Sequence, residues 1–436
     1  MTTAAKSNIG PSKAERDEVL IVGAGPNGLL LALLLTAHNI PVRLVDRATG
    51  PDTRPRATHY GSPAIKELQR AGVFDKLCAR GFAAKDVTWR RPDGSPLARM
   101  NMSASEKGYQ WPLMCLPVGD LVGILLAKLE ERGGDLVSIH WGCNVVALGE
   151  DDDGQGGWVT ASVDRGNTST TQTFKAHYIV GTDGSSSTVR RLLNLSYNGH
   201  TWPVQLVATN VIYPFDDYGW TDSNFVIDRG DWYMAACISR DRSLWRVTYG
   251  EISGLSEDEI RKRQPEKFKK MLPGNPPESA YTLMHLAPYR IHQRRAPTFR
   301  LGHFLLAGDA AHVNNPFGGL GLTSGIVDTG NLADALAGVI RGVADESILD
   351  RYAEVRARAF DEVVDKVSSD NLARISQQDA DEALSSDWLI KLLPVNEKNE
   401  YVGENVKVAD GLHEKLWDIQ HDFTQYYRKP LPPAAY

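Results

Sequence analysis

Gly23, Gly25 and Gly28 stand in the spacing G-x-G-x-x-G directly after the short apolar run Val19–Val22. That arrangement suits one task, seating the pyrophosphate of a dinucleotide. The first glycine permits a tight turn out of a strand, the second lets phosphate approach the backbone, and the third lets the following helix lie close to the sheet. Pro26 and Asn27 fall in the first helical turn, where proline is tolerated and where unpaired amides and the helix dipole favour an anion. Asp46, with Arg47 beside it, closes the next apolar run about twenty residues on, where a carboxylate can accept hydrogen bonds from a ribose diol.

The whole chain bounds what surrounds this site. Its 436 residues, 42% of them hydrophobic, predict two or three globular domains. A net charge of −6 and a pI near 6.0 give no bulk attraction to nucleic acid or an anionic membrane. Cys78, Cys115, Cys143 and Cys237 show no C-x-x-C spacing, so they are read as free thiols in a reducing compartment. The segment Met1–Asp17 is polar and the run Leu29–Leu35 is too short to span a bilayer, which predicts a cytoplasmic protein without membrane insertion. The acidic run Glu150–Asp153 reads as a solvated hairpin tip and not a metal site.

The elements that position the glycine turn alternate in period. A loop after Asp46 carries Arg54 and Arg56, and a helix is predicted from Pro63 to about Gln69. Asp86–Met102 and Tyr109–Met114 read as strands and turns of a second unit. Leu121, Leu125 and Leu129 then mark one face of a helix over 118–132. Val145–Leu148, Trp158–Val163 and Thr171–Lys175 predict a β-meander, and His177–Thr182 a buried strand. Residues 201–250 read mostly as sheet. Ser256 and Glu259 form a capping box for a helix to about Met271, and Tyr281–His292 returns to strand. Phe304–Ala307 is a third short apolar strand, followed by helix from Leu320 and by helix-forming sequence to about Leu393, with a frayed tail. No internal repeat is present.

Three glycine-bearing strand ends thus lie in one chain: GAGPNG at 23–28, GTDGSSSTVR at 181–190 and LLAGDAAHVNNPFGGLGL at 305–322. Their order and content resemble the FAD-dependent aromatic hydroxylases, the single-component flavoprotein monooxygenases typified by para-hydroxybenzoate hydroxylase and the phenol hydroxylases, over roughly residues 18–340. The resemblance implies an α/β fold with an α+β second domain. A Rossmann-like FAD-binding domain with a β-meander would comprise 1–84, 112–200 and 296–345. A mainly antiparallel substrate domain would comprise 85–111 and 201–295, and a C-terminal helical region 346–436. It also implies a chain that ends before the thioredoxin-like domain of the larger phenol hydroxylases.

For the site, the resemblance assigns the ADP half of FAD to Gly23, Gly25, Pro26, Asn27, Gly28, Asp46 and Arg47, and gives Arg56, between Pro55 and Ala57, a contact with the flavin. Asp183 and Gly184, with Arg190 beyond, match the D-G motif linked to FAD and nicotinamide use. Gly308 and Asp309 match the G-D motif whose carboxylate meets the ribityl chain. The isoalloxazine ring is expected at Pro316–Leu322, where Gly318, Gly319 and Gly321 let backbone approach it. Amides of Gly321 and Leu322 would face the negative charge of the reduced ring. His312 reads as a packed structural residue. Asn314, Asn315, Thr323 and Val118 depart from the residues common in the family.

The implied reaction is monooxygenation. NAD(P)H, docking transiently without a second nucleotide motif, reduces FAD; O2 adds to give a flavin C4a-hydroperoxide; a small aromatic substrate takes the distal oxygen. Candidate substrate contacts are Tyr213, Phe225, Trp232, Tyr233, Met234, His285, Arg290, Pro316 and Phe317; Arg290, His292, Arg294 and Arg295 would suit an anionic or phenolate substrate, with solvated surface charge the favoured reading of the four. No catalytic base is assigned, and either a monomer or a homodimer is compatible. Alternatives are epoxidation, oxidative rearrangement or a Baeyer-Villiger-type product from the same cofactor, or a non-catalytic FAD-binding scaffold. A flavin-dependent halogenase would require a W-x-W-x-I-P segment that the chain lacks, and an NAD-dependent dehydrogenase would leave the second and third motifs unexplained.

Overall fold

The structure, a computed structural model, describes residues 17–52, 54, 57–102, 112–165, 168–396, 400, 405–432 and 434. Two eight-stranded sheets carry it. The first is built on parallel neighbours: Phe304–Leu306, Thr168–Gly181, Asp17–Val22, Val42–Asp46 and Val137–Trp141 lie side by side in that order. The segments of these strands that pair in parallel are largely buried, and the near-continuous apolar runs Val19–Val22, Ile179–Val180 and Phe304–Leu306 are what such a position demands. The helix Pro26–Ala37 between the first two strands is buried from Gly28 to Ala37, so its Leu29–Leu35 run is core. Among the described residues no helix is long and apolar enough to cross a membrane.

Two predicted strands fuse. Thr171–Lys175 and His177–Thr182 lie in one fourteen-residue strand, Thr168–Gly181, whose first half pairs antiparallel with Gly157–Arg165 and whose second half pairs parallel with Asp17–Val22. The strand Val137–Trp141 was not anticipated, because it is short and continues a helical segment, Val118–Gly133, with only one 3-10 turn between.

The second sheet runs His312–Val313, Thr282–Arg295, Asn198–Ile212, Leu244–Glu251, Tyr233–Cys237, Ser223–Val226, Asp86–Arg90, Pro96–Asn101. Every pair in it is antiparallel except Ser223–Val226 against Asp86–Arg90. One face packs on the helix Glu257–Met271, which starts at the Ser256–Glu259 capping box, and holds Val207, Val211, Tyr213, Tyr233, Trp245, Val247 and Tyr249. The other face turns toward the first sheet. The strand His312–Val313, two residues past Ala310, joins the edge of this sheet, so the third glycine motif physically links the two sheets.

The long helix Leu320–Ile340 locks the assembly from below. Its Asp328 is fully buried and accepts from the Gly308 amide at 3.0 Å, from Arg356 Nε at 2.6 Å, and pairs with His312 Nε2 at 2.8 Å. Burial alone would raise this carboxyl, but His312 and Arg356 outweigh it and hold it at about 2. Arg356, itself 0% exposed, also donates to the Ile419 carbonyl and to Ser324 Oγ at 3.1 Å. Removing one partner of a buried pair leaves the other charge uncompensated, which costs about 3–5 kcal/mol. Arg356→Met is therefore expected to lower unfolding stability by about that amount. Chemical denaturation with FAD in fixed excess measures it, and a loss below about 1 kcal/mol contradicts the assignment.

Candidate active site

One cavity of about 1800 Å³ runs from the first glycine turn, past the second and third motifs, to the open face of the second sheet. A single drug-sized ligand occupies about 300–1,000 Å³. The space therefore accommodates a large dinucleotide together with a second, small molecule.

Its nucleotide end is shaped by backbone. Gly23 is at φ 109° and its amide donates to the Val45 carbonyl at 2.8 Å, which turns the chain out of the strand. A side chain at Gly28 would meet the Gly23 carbonyl oxygen at 1.9 Å, so the helix approaches too closely for any other residue. At Gly25 nothing lies within 4 Å of the corresponding position. The same is true at Gly184 and Gly319, which also line the cavity. These clearances leave room for an extended ligand along all three motifs, with the helix Pro26–Ala37 pointing its N-terminus at the first.

Asn27 fills the space between the first and third motifs. Its Nδ2 lies where side chains at Gly308 and Gly325 would be, 1.7 and 2.6 Å away, while its Oδ1 is buried with no hydrogen-bond partner. Asn314 Oδ1, beside Gly321, is a second buried acceptor left open. Two such open acceptors along the cavity, with backbone clearances at Gly25, Gly184 and Gly319, fit a ligand that carries hydroxyl and imide donors, as FAD does.

The three acidic residues are placed differently from one another. Asp46 accepts from the Ala24 amide and the Ala48 amide, both at 2.7 Å, so it closes the glycine turn while lining the cavity. Asp183 caps the short helix Thr188–Leu192: it accepts from Ser187 Oγ at 2.5 Å and from the Thr188 amide at 2.7 Å. Burial raises its carboxyl above the ordinary range despite those bonds. Asp309 is exposed to the cavity, and its carbonyl accepts from Tyr197 at 2.9 Å. Arg190 donates to the Ala310 carbonyl at 2.8 Å and stacks on Tyr197, bridging the second and third motifs. Arg47 and Pro316–Leu322 line the same space, whereas Gly28 and Gly308 lie behind its wall. Arg56 and Pro55 lie outside the described residues.

Asn315 and Thr323, two of the departures from the family pattern, hold the turn at Pro316–Gly318. Asn315 is fully buried, accepts from the Phe317 amide at 3.1 Å, and its own amide donates to Gln293 Oε1 at 3.0 Å. Thr323 Oγ1 accepts from the Gly61 amide at 3.0 Å and donates to the Gly319 carbonyl at 3.1 Å. Asn371 donates to the Phe317 carbonyl at 3.2 Å from a C-terminal helix. Gly319, at φ 62°, ends this turn, and the helix Leu320–Ile340 begins with the Gly321 and Leu322 amides at its positive end.

Strand alternation sorts the substrate candidates. Phe225, Met234, His285, Arg290, Pro316 and Phe317 line the cavity. Tyr213 and Tyr233 do not: each is one residue out of phase, buried on the opposite face against the helix Glu257–Met271, with Tyr213 donating to the Pro273 carbonyl at 2.5 Å and Tyr233 to the Met271 carbonyl. Trp232 is a buttress behind Phe317, with ring centroids 5.4 Å apart. His292 reaches the cavity, bonded to Thr201 at 2.9 Å, while Arg294 donates to Thr201 and Arg295 pairs with Asp361.

Three polar wall residues were not anticipated. Arg246 is 8% exposed, with Nε donating to Asn210 Oδ1 at 3.0 Å. His59 faces the cavity between Thr58 Oγ1 at 2.9 Å and Ser223 Oγ at 3.4 Å; burial, then the charge of Arg246, depresses it to about 4. Burial pushes Tyr289 up to about 12, against the influence of Arg246. Tyr289 keeps 37% of its surface because the cavity, enclosed by protein, is open beside it. The available signal was period two: in Leu244–Glu251, Arg246 and Thr248 alternate with buried Trp245, Val247 and Tyr249.

The comparisons with known proteins agree in kind. The family described as FAD binding domain matches residues 16–367. A para-nitrophenol 4-monooxygenase of Pseudomonas sp. is 37% identical over 377 residues, 86% of this chain and 91% of that protein. A 6-hydroxy-3-succinoylpyridine 3-monooxygenase of Pseudomonas putida is 35% identical, over 86% of this chain and 92% of its own. The crystal structure of a p-nitrophenol 4-monooxygenase from Pseudomonas putida superposes with a TM-score of 0.85 at 33% identity, covering 93% of this chain and 98% of that one. That of an aklavinone-11 hydroxylase, in complex with FAD and aklavinone, gives 0.71 at 26% identity over 85% of this chain and 70% of its own.

Glycine geometry separates fold from ligand. Gly28→Ala is expected to damage folding itself, whereas Gly25→Val should fold with unchanged thermal stability in the FAD-free state and lose at least about tenfold in FAD affinity, ~1.4 kcal/mol. Asp309→Ala should likewise weaken FAD retention without altering the FAD-free fold; both are read by flavin fluorescence titration. Acid sensitivity follows from His59. Its folded value lies below the ordinary 6.5, so its contribution is intact above pH 6.5 and is lost as pH falls toward about 4. The loss is on the order of 3 kcal/mol. Unfolding free energies across that window should fall less steeply for His59→Gln than for the wild type.

Proposed function

The chain belongs to the FAD binding domain family of flavoprotein aromatic monooxygenases, and from that premise we propose that its substrate is a monocyclic phenol with a polar substituent para to the hydroxyl, para-nitrophenol being the first to test. The observation that supports this class is the wall of the cavity beyond the turn Pro316–Gly318, where aromatic Phe225 and Phe317 flank small Ala208, Ala287 and Thr248, with a cation at one edge. A flat ring fits against such a surface, and a polar end fits beside the cation.

As a member of this family the protein is an NAD(P)H-dependent FAD monooxygenase. Bound FAD supplies the hydride acceptor and the activation of O2. The chain's own residues divide the remaining work. The helix N-terminus at Gly321 and Leu322 offers amides and a positive dipole to negative charge on the reduced ring. Asp309 and Asp46 offer carboxylates to hydroxyl groups along the cofactor's length. Phe317, held by Trp232 at its edge and by Asn371 at its carbonyl, closes the apolar wall, so that water is kept from the oxygen-transfer position.

Oxygen insertion at a nitro-bearing carbon expels nitrite, which gives a direct assay. The FAD-loaded enzyme should oxidise NAD(P)H faster when para-nitrophenol is present and release nitrite in proportion to the nitrophenol consumed. Stimulation by other phenols, with none by para-nitrophenol, would remove the substrate class while leaving the family chemistry in place.

A further inference from the structure

The cavity-side face of the second sheet is organised in rungs. Direct pairing places Ser223, Ala236, Arg246, Asn210 and His285 side by side across five strands. One rung further along lie Phe225, Met234, Thr248, Ala208 and Ala287. Two residues of strand separate the rungs, roughly 6.6 Å. The first rung is polar and the second apolar, with a gap over its small members Thr248, Ala208 and Ala287.

Beyond the second rung lies Trp232, and over it Phe317, whose ring is 5.4 Å from Trp232 and 6.5 Å from Phe225. The order is therefore a cation, then a ring-sized gap, then the turn Pro316–Gly318 at the flavin end of the cavity. This order gives a bound ring one orientation.

We propose that Arg246, aimed by its bond to Asn210, binds the substrate's phenolic oxygen as the anion and so points the carbon para to it toward the Pro316–Leu322 turn. The proposal rests on the phenol reading above and deepens it, by assigning the ionised form and the direction of attack. An ionised phenol pushes electron density into the ring, which is what an electrophilic oxygen requires; a neutral nitrophenol is poorly reactive. Two observations support Arg246 over Arg290 and His292, while Arg374, equally buried, is paired with Asp387. Arg246 is nearly buried, and burial lowers its own proton affinity, so a docked anion restores stabilisation that water no longer gives. Arg290 and His292, in contrast, belong to the rim: Arg290 is exposed and His292 is bonded to Thr201. His59, next to Ser223 at the end of the polar rung, is neutral near pH 7 and adds hydrogen bonding without a second charge.

Para-nitrophenol reports its own ionisation, since the phenolate absorbs visible light and the acid does not. Titrated into FAD-loaded enzyme without NAD(P)H, nitrophenol bound to the wild type should ionise about one to three pH units below the free compound, the effect of a cation in contact with it. Arg246→Lys should keep part of that shift, and Arg246→Gln should abolish it, with flavin content and thermal unfolding confirming that both variants are folded. Bound nitrophenol that ionises in the wild type at or above its free pH overturns the proposal without any variant, and so does a shift that survives in Arg246→Gln. If the wild type binds no nitrophenol at all, the substrate class itself fails, and this assignment with it.

Discussion

A carboxylate taken wholly out of water must have its lone pairs used, and Asp328 uses them on three groups from two segments: the Gly308 amide and His312 of one loop, and Arg356 of the following helix. Gly308 and His312 both lie in the third glycine motif, on either side of Asp309, so the carboxylate grips both ends of the short loop that presents Asp309 to the cavity. Arg356 carries the same contact outward to Ser324 and the Ile419 carbonyl, which brings the C-terminal segment under the site. His312 is thereby occupied in structure. A titratable side chain inside a cofactor motif invites a catalytic reading, and the geometry here gives it a mechanical one.

That grip makes the other close approaches possible. Asn27 occupies the space that side chains at Gly308 and Gly325 would need, so the first motif, the third motif and the long helix converge on one amide side chain. A shift of the Gly308 loop by a fraction of an ångström would either strand Asn27 or collide with it. Arg190 adds the second motif, through the Ala310 carbonyl and the face of Tyr197. The cavity along which an extended dinucleotide fits is thus bounded by backbone whose position is set by contacts on the far side from the ligand, which is the condition for a preorganised site.

The nucleotide half was legible in the sequence because its information is local. A glycine turn, the strand before it and the helix after it are contiguous, and each glycine has a reason that a short window can supply. The sheet side of the cavity was legible only in outline, because its residues come from five strands and meet through register, which no window contains. Residues 201–250 are largely sheet as read, yet Tyr213 and Tyr233 lie on the face away from the cavity, while Met234, one position from Tyr233, lines it. Arg246 was passed over because an arginine among aromatics in a strand reads as an edge charge. Only the pairing Asn210 with Arg246, and Ala236 on its other side, shows it to be central. Asn315 and Thr323 looked like departures from a pattern. Each proves to be a hydrogen-bonding clamp on the turn at Pro316–Gly318 or on the glycine that ends it.

The separation between the two halves has a consequence for how such a site can change. The nucleotide cradle depends on backbone clearances measured in tenths of an ångström, and a side chain at Gly28 meets a carbonyl at 1.9 Å, so almost no substitution there is tolerated. The sheet face proposed to meet the substrate is different. Thr248, Ala208 and Ala287 have strand conformations open to any residue, and their side chains enter the cavity without supporting the core on the opposite face. Enlarging one of them would alter which ring fits without moving Asp328, Asn27 or the glycine turn. Arg246 sits on the same adaptable face, yet Asn210 and burial tie its position, so ring shape can vary around a fixed charge. Relatives named for a nitrophenol and for a hydroxypyridine, similar to this chain over nearly the same span, are what such an arrangement permits.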